Sequence, residues 1–274
     1  MYDLVVQNGK LVTPGGVYRG SIGVRKEKIA TLSRGKLQGK RVIDATGKVV
    51  LPGVIDPHVH FELPFQGSVS ADDFYQGSVA GAFGGVTAYV DFAIHAKGTD
   101  ILAHIKARRK LADAKTVTDY SFHPAFTEET QKNLDHVPEL IKMGMPTFKL
   151  FLPYIREGFH VGDGFLFKLL QATRQHNGLV LIHAENGDVV EQLLSEQEAL
   201  GNRSWMQHYD SRPNFVEATS IATSISLAKA AGAALYVVHT STGEGVGHLQ
   251  DAQAQGYPVF SETCPQYLEF TNDY

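Results

Sequence analysis

The sequence predicts an α/β fold: a (β/α)8 TIM-type barrel with seven of its eight strands legible, preceded by a small β-rich segment. Three observations carry this reading. From residue 48 onward, apolar runs of strand length alternate with amphipathic stretches of helix length, the pattern of a parallel sheet with helices outside it. Before that point, short β-prone runs are separated by glycine turns. Finally, histidine and lysine stand at the ends of several predicted strands, and in a barrel those ends ring one opening.

Residues 1–47 contain Leu4-Val5-Val6, Lys10-Leu11-Val12, Ser21-Ile22-Gly23-Val24 and Lys28-Ile29-Ala30. Asn8-Gly9, Pro14-Gly15-Gly16 and charged turns divide them, which predicts a small β-sheet or a piece of a sandwich. Residues 48–274 form the predicted barrel domain. Its strands are Val49–Ile55, Val86–Phe92, Val117–Phe122, Thr147–Leu152, Leu179–Ile182, Ala234–Val238 and Tyr257–Phe260. The predicted helices between them are Ala71–Phe83, Asp100–Ala112, Glu128–Lys142, Gly164–His176, Asp188–Leu200, Phe215–Ala231 and Gly243–Gln255. Asp163 is the expected N-cap of the fourth helix, and Pro213 suits the first turn of the sixth. Gly178, Gly201, Gly232 and Gly256 follow helix ends. Pro138 predicts a kink or break in the third helix. A doubly wound sheet fits less well. The one glycine-rich turn, Gly81-Ala82-Phe83-Gly84-Gly85, precedes a strand rather than following one, so it fails the dinucleotide-binding pattern.

The 274 residues are 43% hydrophobic and 20% charged, with a net charge of −4. A mildly acidic, mixed-charge surface gives no footprint for nucleic acid. No apolar run approaches the ~18 residues of a membrane span. A single cysteine, Cys264, rules out an internal disulfide framework and, with no signal-peptide pattern at Met1–Val6, points to a cytoplasmic protein.

The chemistry concentrates around Val54-Ile55-Asp56-Pro57-His58-Val59-His60. In an extended chain His58 and His60 face the same side, and two neighbouring imidazoles make half of a metal site. His183 and His239 end two further strands, and Lys149 sits between apolar residues in Phe148-Lys149-Leu150-Phe151. An ammonium would repel a cation. A buried, neutral amine can instead add carbon dioxide and become a carbamate anion able to bridge two divalent ions. Asp56 is expected behind the histidines, orienting an imidazole. The other histidines, His95, His104, His123, His136, His160, His176, His208 and His248, read as surface residues.

Together these residues resemble the amidohydrolase superfamily, and more closely its dihydropyrimidinase/D-hydantoinase family. The resemblance covers the whole chain. It rests on Leu51-Pro52-Gly53-Val54-Ile55-Asp56-Pro57-His58-Val59-His60, Ser70-Ala71-Asp72-Asp73-Phe74, Phe148-Lys149-Leu150-Phe151, Ser211-Arg212-Pro213 and Glu262-Thr263-Cys264-Pro265-Gln266-Tyr267-Leu268. It implies two divalent metal ions, expected to be Zn2+, held by His58, His60, His183, His239 and Lys149 as N6-carboxylysine. It also implies attack of a metal-bridging hydroxide on a cyclic amide, a hydantoin or dihydropyrimidine, with Tyr154 holding the oxyanion. Phe65 and Phe159, in the segments 61–68 and 155–161, are expected to line the pocket for the substrate's exocyclic group. The family is commonly homotetrameric. An allantoinase or dihydroorotase type, or a non-catalytic metal-binding relative, stands as the alternative. The family also uses a strand-eight aspartate, which would lie beyond Tyr274. The resemblance therefore implies the first part of a longer enzyme, with little ring-opening activity in this chain alone.

Overall fold

A computed structural model describes residues 1–65 and 67–271. The chain groups into two compact units: Met1–Ile55 with Gly85–Ala88, and Asp56–Gly84 with Tyr89–Tyr274.

The first unit is built on a five-stranded sheet of β1 (Tyr2–Thr13), β2 (Gly16–Arg25), β3 (Lys28–Ser33), β4 (Gly39–Asp44) and β5 (Val49–Val50). Its order is β3-β2-β1-β4, with β5 also paired to β1. The β1–β2 and β2–β3 pairs are antiparallel hairpins, whereas β4 and β5 run parallel to β1. Two sequence expectations change here. Asn8-Gly9 is not a turn between strands: β1 runs through it, and the register shifts between Val6 and Gly9. Asn8 takes the left-handed conformation at φ 66, and its side-chain amide bonds to Asp44 Oδ1 at 2.8 Å, so the irregularity is held rather than propagated into a reversal. Val49–Val50 belongs to this sheet, which separates it from the strand that carries the His-x-His element.

The larger sheet has seven strands among the described residues, in the order β14-β13-β12-β11-β10-β9-β6. In chain order these are β6 (Val54–Val59), then a short antiparallel hairpin of β7 (Pro64–Phe65) and β8 (Ser68–Val69), then α1 (Phe74–Phe83) and β9 (Val86–Ile94). Next come α2 (Ile101–Lys115), β10 (Asp119–Ala125), α3 (Gln131–Asp135), α4 (Val137–Lys142), β11 (Thr147–Phe151), α5 (Asp163–Gln175) and β12 (Leu179–His183). The chain continues through α6 (Gly187–Ala199), α7 (Met206–Asp210), α8 (Asn214–Ala231), β13 (Leu235–Val237), α9 (Gly243–Ala254), β14 (Val259–Ser261) and α10 (Gln266–Glu269). From β10 to β14 each strand pairs in parallel with the next. The result is a curled parallel sheet of the barrel type, alternating strand and helix as the sequence pattern requires.

Pro138 does divide the third predicted helix, into α3 and α4, and stands near the start of the second piece where its missing N–H costs nothing. The N-cap of α5 is Gly162; Asp163 is already its first helical residue. Gly232 ends α8 in the left-handed conformation at φ 62. α7 and α10, each of five residues or fewer, lie below what apolar periodicity can resolve.

Strand alternation sorts the side chains onto two faces. Phe148 and Leu150 of β11, Val180 and Ile182 of β12, and Leu235 and Val237 of β13 join the helix-packed core with Phe165, Leu166, Leu169 and Leu170 of α5 and Ile221 and Ile225 of α8. The intervening positions belong elsewhere. Phe92, Leu181 and Val238 form a separate small cluster against which Tyr236 packs. Lys149 pairs with Leu181 and Phe151 with His183 in the β11–β12 register, so the lysine and the histidine share the parity of that cluster.

Candidate metal and catalytic site

Phe92 is the floor on which the expected site residues meet. Its ring lies 4.5 Å from that of His58 and 4.8 Å from that of His60. The His58 and His60 rings are 5.2 Å apart, His58 is 5.5 Å from His239, and His239 is 4.4 Å from His183. The Lys149 amine lies 5.5 Å from the Phe92 ring and 4.9 Å from the Phe151 ring, and the residue is 1% exposed. Four imidazoles from three strand ends and one buried lysine, distant in sequence, thus share one neighbourhood.

His60, His183, His239 and Lys149 are uncharged near neutral pH. Burial pushes the His60 imidazole down to about 3. Burial likewise holds His183 and His239 far below the usual histidine range. Burial drives the Lys149 amine well below the usual lysine range, and the charge of Glu262 offsets only part of this. Among the described residues no carboxylate lies in ion-pair contact with Lys149. His60 Nδ1 is buried without a hydrogen-bond partner among the described residues. Unprotonated nitrogens are the form in which imidazoles bind metals. At the same time, among the described residues no three His, Cys, Asp or Glu side chains are already gathered as a ready ligand set.

Local structure explains how the donors are held. His239 follows β13 with φ 40, a conformation uncommon outside glycine. The segment after it is tied down by Glu217 of α8, whose carboxylate accepts from Ser241 N at 3.0 Å and Thr242 N at 2.8 Å. Thr240 N donates to the Glu262 carbonyl at 2.7 Å. On the other side, Arg108 of α2 donates to the Phe61 carbonyl at 2.6 Å and to buried Asp91 at 2.5 Å, fixing the chain just past His60. Lys115, two turns further along α2, bonds Glu62 at 2.7 Å.

Tyr154 also adopts the left-handed conformation, at φ 67. Its ring is 5.0 Å from His183, 6.0 Å from Phe151 and 6.3 Å from Phe65. Burial, then the charge of Glu185, push its hydroxyl up to about 12, so it remains a donor at neutral pH. The Phe159 ring lies 5.9 Å from that of Phe65 and 5.6 Å from that of Phe151, tilted 38° to each. The three aromatics expected around a substrate therefore form one cluster beside the imidazoles.

Three expectations need correction or addition. Asp56 does not reach an imidazole: its Oδ1 accepts from the His58 backbone N–H at 3.1 Å, the local bond available to an aspartate two residues upstream. Not all of the remaining histidines are on the surface. His95 is fully buried, with Nδ1 at 3.0 Å from the Ala125 carbonyl. His123 is 5% exposed, with contacts at 2.6 Å to Thr147 Oγ1 and 2.9 Å to the Pro57 carbonyl. The strand in which His123 lies runs to Ala125 rather than stopping at Phe122, which is why it points inward. Two glutamates to which the sequence assigns no role join the site: Glu262 Oε1 lies 2.5 Å from His58 Nδ1, and Glu185 Oε2 lies 2.7 Å from His183 Nε2. For Glu185 the signal was available, since it stands two residues after His183 and shares its parity.

Among the described residues no helix is long and apolar enough to cross a membrane. The amidohydrolase family profile matches residues 49–247. The chain is 38% identical to a D-hydantoinase of Geobacillus stearothermophilus over 98% of its own length and 58% of that protein. It is 33% identical to the dihydropyrimidinase of Rattus norvegicus, covering 94% of the chain and 51% of the relative. Among solved structures, D-hydantoinase from Bacillus sp. AR9 superposes with a TM-score of 0.93 at 37% identity, covering 98% of this chain and 58% of that one. Dihydropyrimidinase from Brevibacillus agri NCHU1002 gives 0.93 at 36% identity, covering 97% and 58%. The chain thus spans less than two thirds of the length of these relatives. By the extent of the profile match and the shared architecture, it belongs to the amidohydrolase family.

Proposed function

We propose that this chain carries the metal-binding core of a hydrolase that opens cyclic amide rings, a hydantoin or a dihydropyrimidine. One observation carries the reading: a buried lysine with no carboxylate in ion-pair contact among the described residues stands with the imidazoles of His58, His60, His183 and His239, the last three of them uncharged. Burying a lysine amine without an ion-pair partner is costly and calls for a chemical reason. Conversion to a carbamate supplies one, because it makes the residue an anion that suits dications. The donor chemistry fits a two-metal centre held by His58, His60, His183, His239 and Lys149 as N6-carboxylysine. Zn2+ suits the nitrogen-rich set. When bound, such ions supply a Lewis acid and a hydroxide nucleophile.

The remaining roles follow from position. Tyr154, protonated at neutral pH and next to His183, would donate to the oxygen of the scissile carbonyl as negative charge grows there. Phe65 and Phe159 would flank the substituent outside the ring. The names of the relatives, hydantoinase and dihydropyrimidinase, support this substrate class. In this proposal residues 48–274 form the hydrolase domain and residues 1–47 an accompanying β domain, in a cytoplasmic protein. Exposed apolar side chains such as Phe83, at 91%, and Leu268, at 76%, support assembly into a homo-oligomer, a tetramer as in the family, to be read by light scattering.

The test is metal and carbon dioxide together. Purified chain supplied with zinc and 13C-bicarbonate should bind about two ions and show a carbamate carbon signal by NMR. Lys149→Ala should lose the signal and at least one of the ions. Wild-type protein that takes up zinc with no carbamate signal, or takes up none, defeats the reading. Ring opening of hydantoin and dihydrouracil, followed by loss of ring absorbance, then examines the activity itself.

A further inference from the structure

The first unit holds a cavity that the proposed hydrolase chemistry does not use. Its volume is about 270 Å³, and Asn8, Arg19, Ser21, Arg34, Lys36 and Thr46 line it. Among the described residues neither a carboxylate nor an apolar side chain joins the lining.

The irregularity in β1 makes the room. Val6 pairs with Ile22 and Gly9 with Gly20, so Gln7 and Asn8 stand against Ser21 alone. An extra residue on one strand bends it and re-aims a side chain. Asn8 turns its amide onto Asp44 Oδ1, which also accepts from Thr46 N at 3.1 Å and Thr46 Oγ1 at 2.7 Å. The carboxylate bonded to two of the lining residues is therefore already occupied by three donors. On the other side of β2, Ser21 pairs with Ser33 at the end of β3. The Ser33 hydroxyl accepts from Gly35 N at 3.0 Å, which turns the chain directly after β3, and both Arg34 and Lys36 reach the cavity.

Arg19, Arg34 and Lys36 are cationic side chains, and among the described residues none of them is in an ion pair. Three like charges around one small space repel one another, and an anion between them removes that cost. Arg34 is steadied by Tyr18, its guanidinium carbon 4.8 Å from the ring centroid. Ser21 is 3% exposed, and its hydroxyl has no hydrogen-bond partner among the described residues. A hydroxyl buried without a partner carries a cost that a bound acceptor relieves.

We propose that this cavity is an anion site that takes a phosphate group, with Arg19, Arg34 and Lys36 as its charges and the Ser21 hydroxyl as a neutral donor. Guanidinium groups grip phosphate oxygens in pairs, and a lysine adds a point charge. Three cations match a phosphate dianion better than a single carboxylate. The space is just below the ~300–1,000 Å³ of ordinary small-molecule pockets, so it fits a phosphate ion or the phosphate end of a small ester rather than a nucleotide. The site does not depend on the hydrolase reading.

The test uses the whole wild-type chain, labelled with 15N, at mildly alkaline pH where phosphate is a dianion. Ionic strength is held constant with sodium chloride, because screening alone moves exposed charges. Inorganic phosphate and methyl phosphate are titrated separately. The backbone amides of Gly20, Ser21, Gly35 and Lys36 should shift along one saturable curve, while those of β11 and α5 stay in place. Comparable binding of the two probes identifies the phosphate end of an ester as the occupant, and much tighter binding of inorganic phosphate identifies the free ion. No shift at these amides with either probe, or the same shift with added chloride, overturns the proposal.

Variants then locate the charges. Arg19→Gln and Arg34→Gln should each weaken phosphate binding roughly 10- to 100-fold. Arg41→Gln removes the same charge from β4 of the same sheet, outside the cavity, and should bind as wild type does. Equal weakening in all three would make net charge, not this cavity, the holder of the ion, and would also overturn the proposal.

Discussion

Tyr154 offers the most direct measurement on a single side chain. Its hydroxyl is held protonated and its ring lies against His183. If the chain, alone or completed, turns over cyclic amides as proposed, Tyr154→Phe should keep the fold but lower kcat by roughly 10²–10³-fold, with KM changed much less; equal loss in binding and turnover would assign it to packing instead. His104 gives a pH prediction. Burial, then the charge of Arg108, lower its imidazole from 6.5 to about 4, while the unfolded chain keeps the higher value. Between these limits the unfolded state binds more protons, so the stabilisation is full above pH 6.5 and is lost as pH falls toward 4. Its share of the pH slope over that window should be worth about 1–3 kcal/mol in denaturant titrations, and His104→Leu should reduce the slope by that share, the other buried histidines keeping theirs. The single residues also show where the sequence spoke clearly. His58, His60, Lys149, His183 and His239 were picked out because strand ends and apolar flanks place polar residues on the inner parity, and the structure brings them together. Glu262 was missed because its partner, His58, is 204 residues away, and no local pattern encodes that pairing. His95 and His123 were misplaced because each depends on a carbonyl or hydroxyl from another strand.

Helices and strands were legible where periodicity runs long and blurred where it is short. The alternation of β9 through β14 with their helices follows from apolar runs bounded by glycine and proline. The first barrel strand was displaced because Val49–Val50 and Val54–Val59 look alike as apolar runs; only pairing with β1 assigns the former to the other sheet. Two substitutions probe how elements are tied together. Gly232, at the end of α8, has φ 62, and an added Cβ would stand 2.6 Å from Arg174 Nη1. Gly232→Ala should cost about 1–2 kcal/mol, more if the bond from Arg174 to the Ala231 carbonyl is lost with it; a melting temperature equal to wild type would refute this. Glu217 joins α8 to the segment after His239 through backbone N–H groups of Ser241 and Thr242. Glu217→Ala leaves the buried Thr242 N–H without its acceptor, at about 1–3 kcal/mol. Hydrogen exchange should then quicken at Ser241 and Thr242 before it does in α5.

Across the molecule, the two units are stabilised differently. The larger one has a continuous apolar core between helices and sheet, with fully buried Phe74, Phe122, Phe126 and Phe148. In the first unit the buried hydrophobic side chains are few, Val5, Leu11 and Ala45, and Val17, Ile29, Leu32, Val42 and Ile43 stand exposed on its strands. Chelation separates them further. If zinc seats among the imidazoles, saturation at 100-fold its Kd should stabilise the larger unit by about 2.7 kcal/mol. Added chelator should lower a high-temperature transition and leave any transition of the first unit in place. A single transition insensitive to chelator would contradict it.

His239 and Tyr154 both sit at positive φ, in a region that side chains other than glycine rarely occupy. A torsion of that kind persists only where its surroundings over-determine it. Replacing either residue with glycine should therefore yield a chain that folds more comfortably and does less: the backbone relaxes, and the imidazole or phenol for which the awkward geometry was tolerated is gone. Selection for heat resistance alone would drift toward such glycines, and selection for chemistry would remove them.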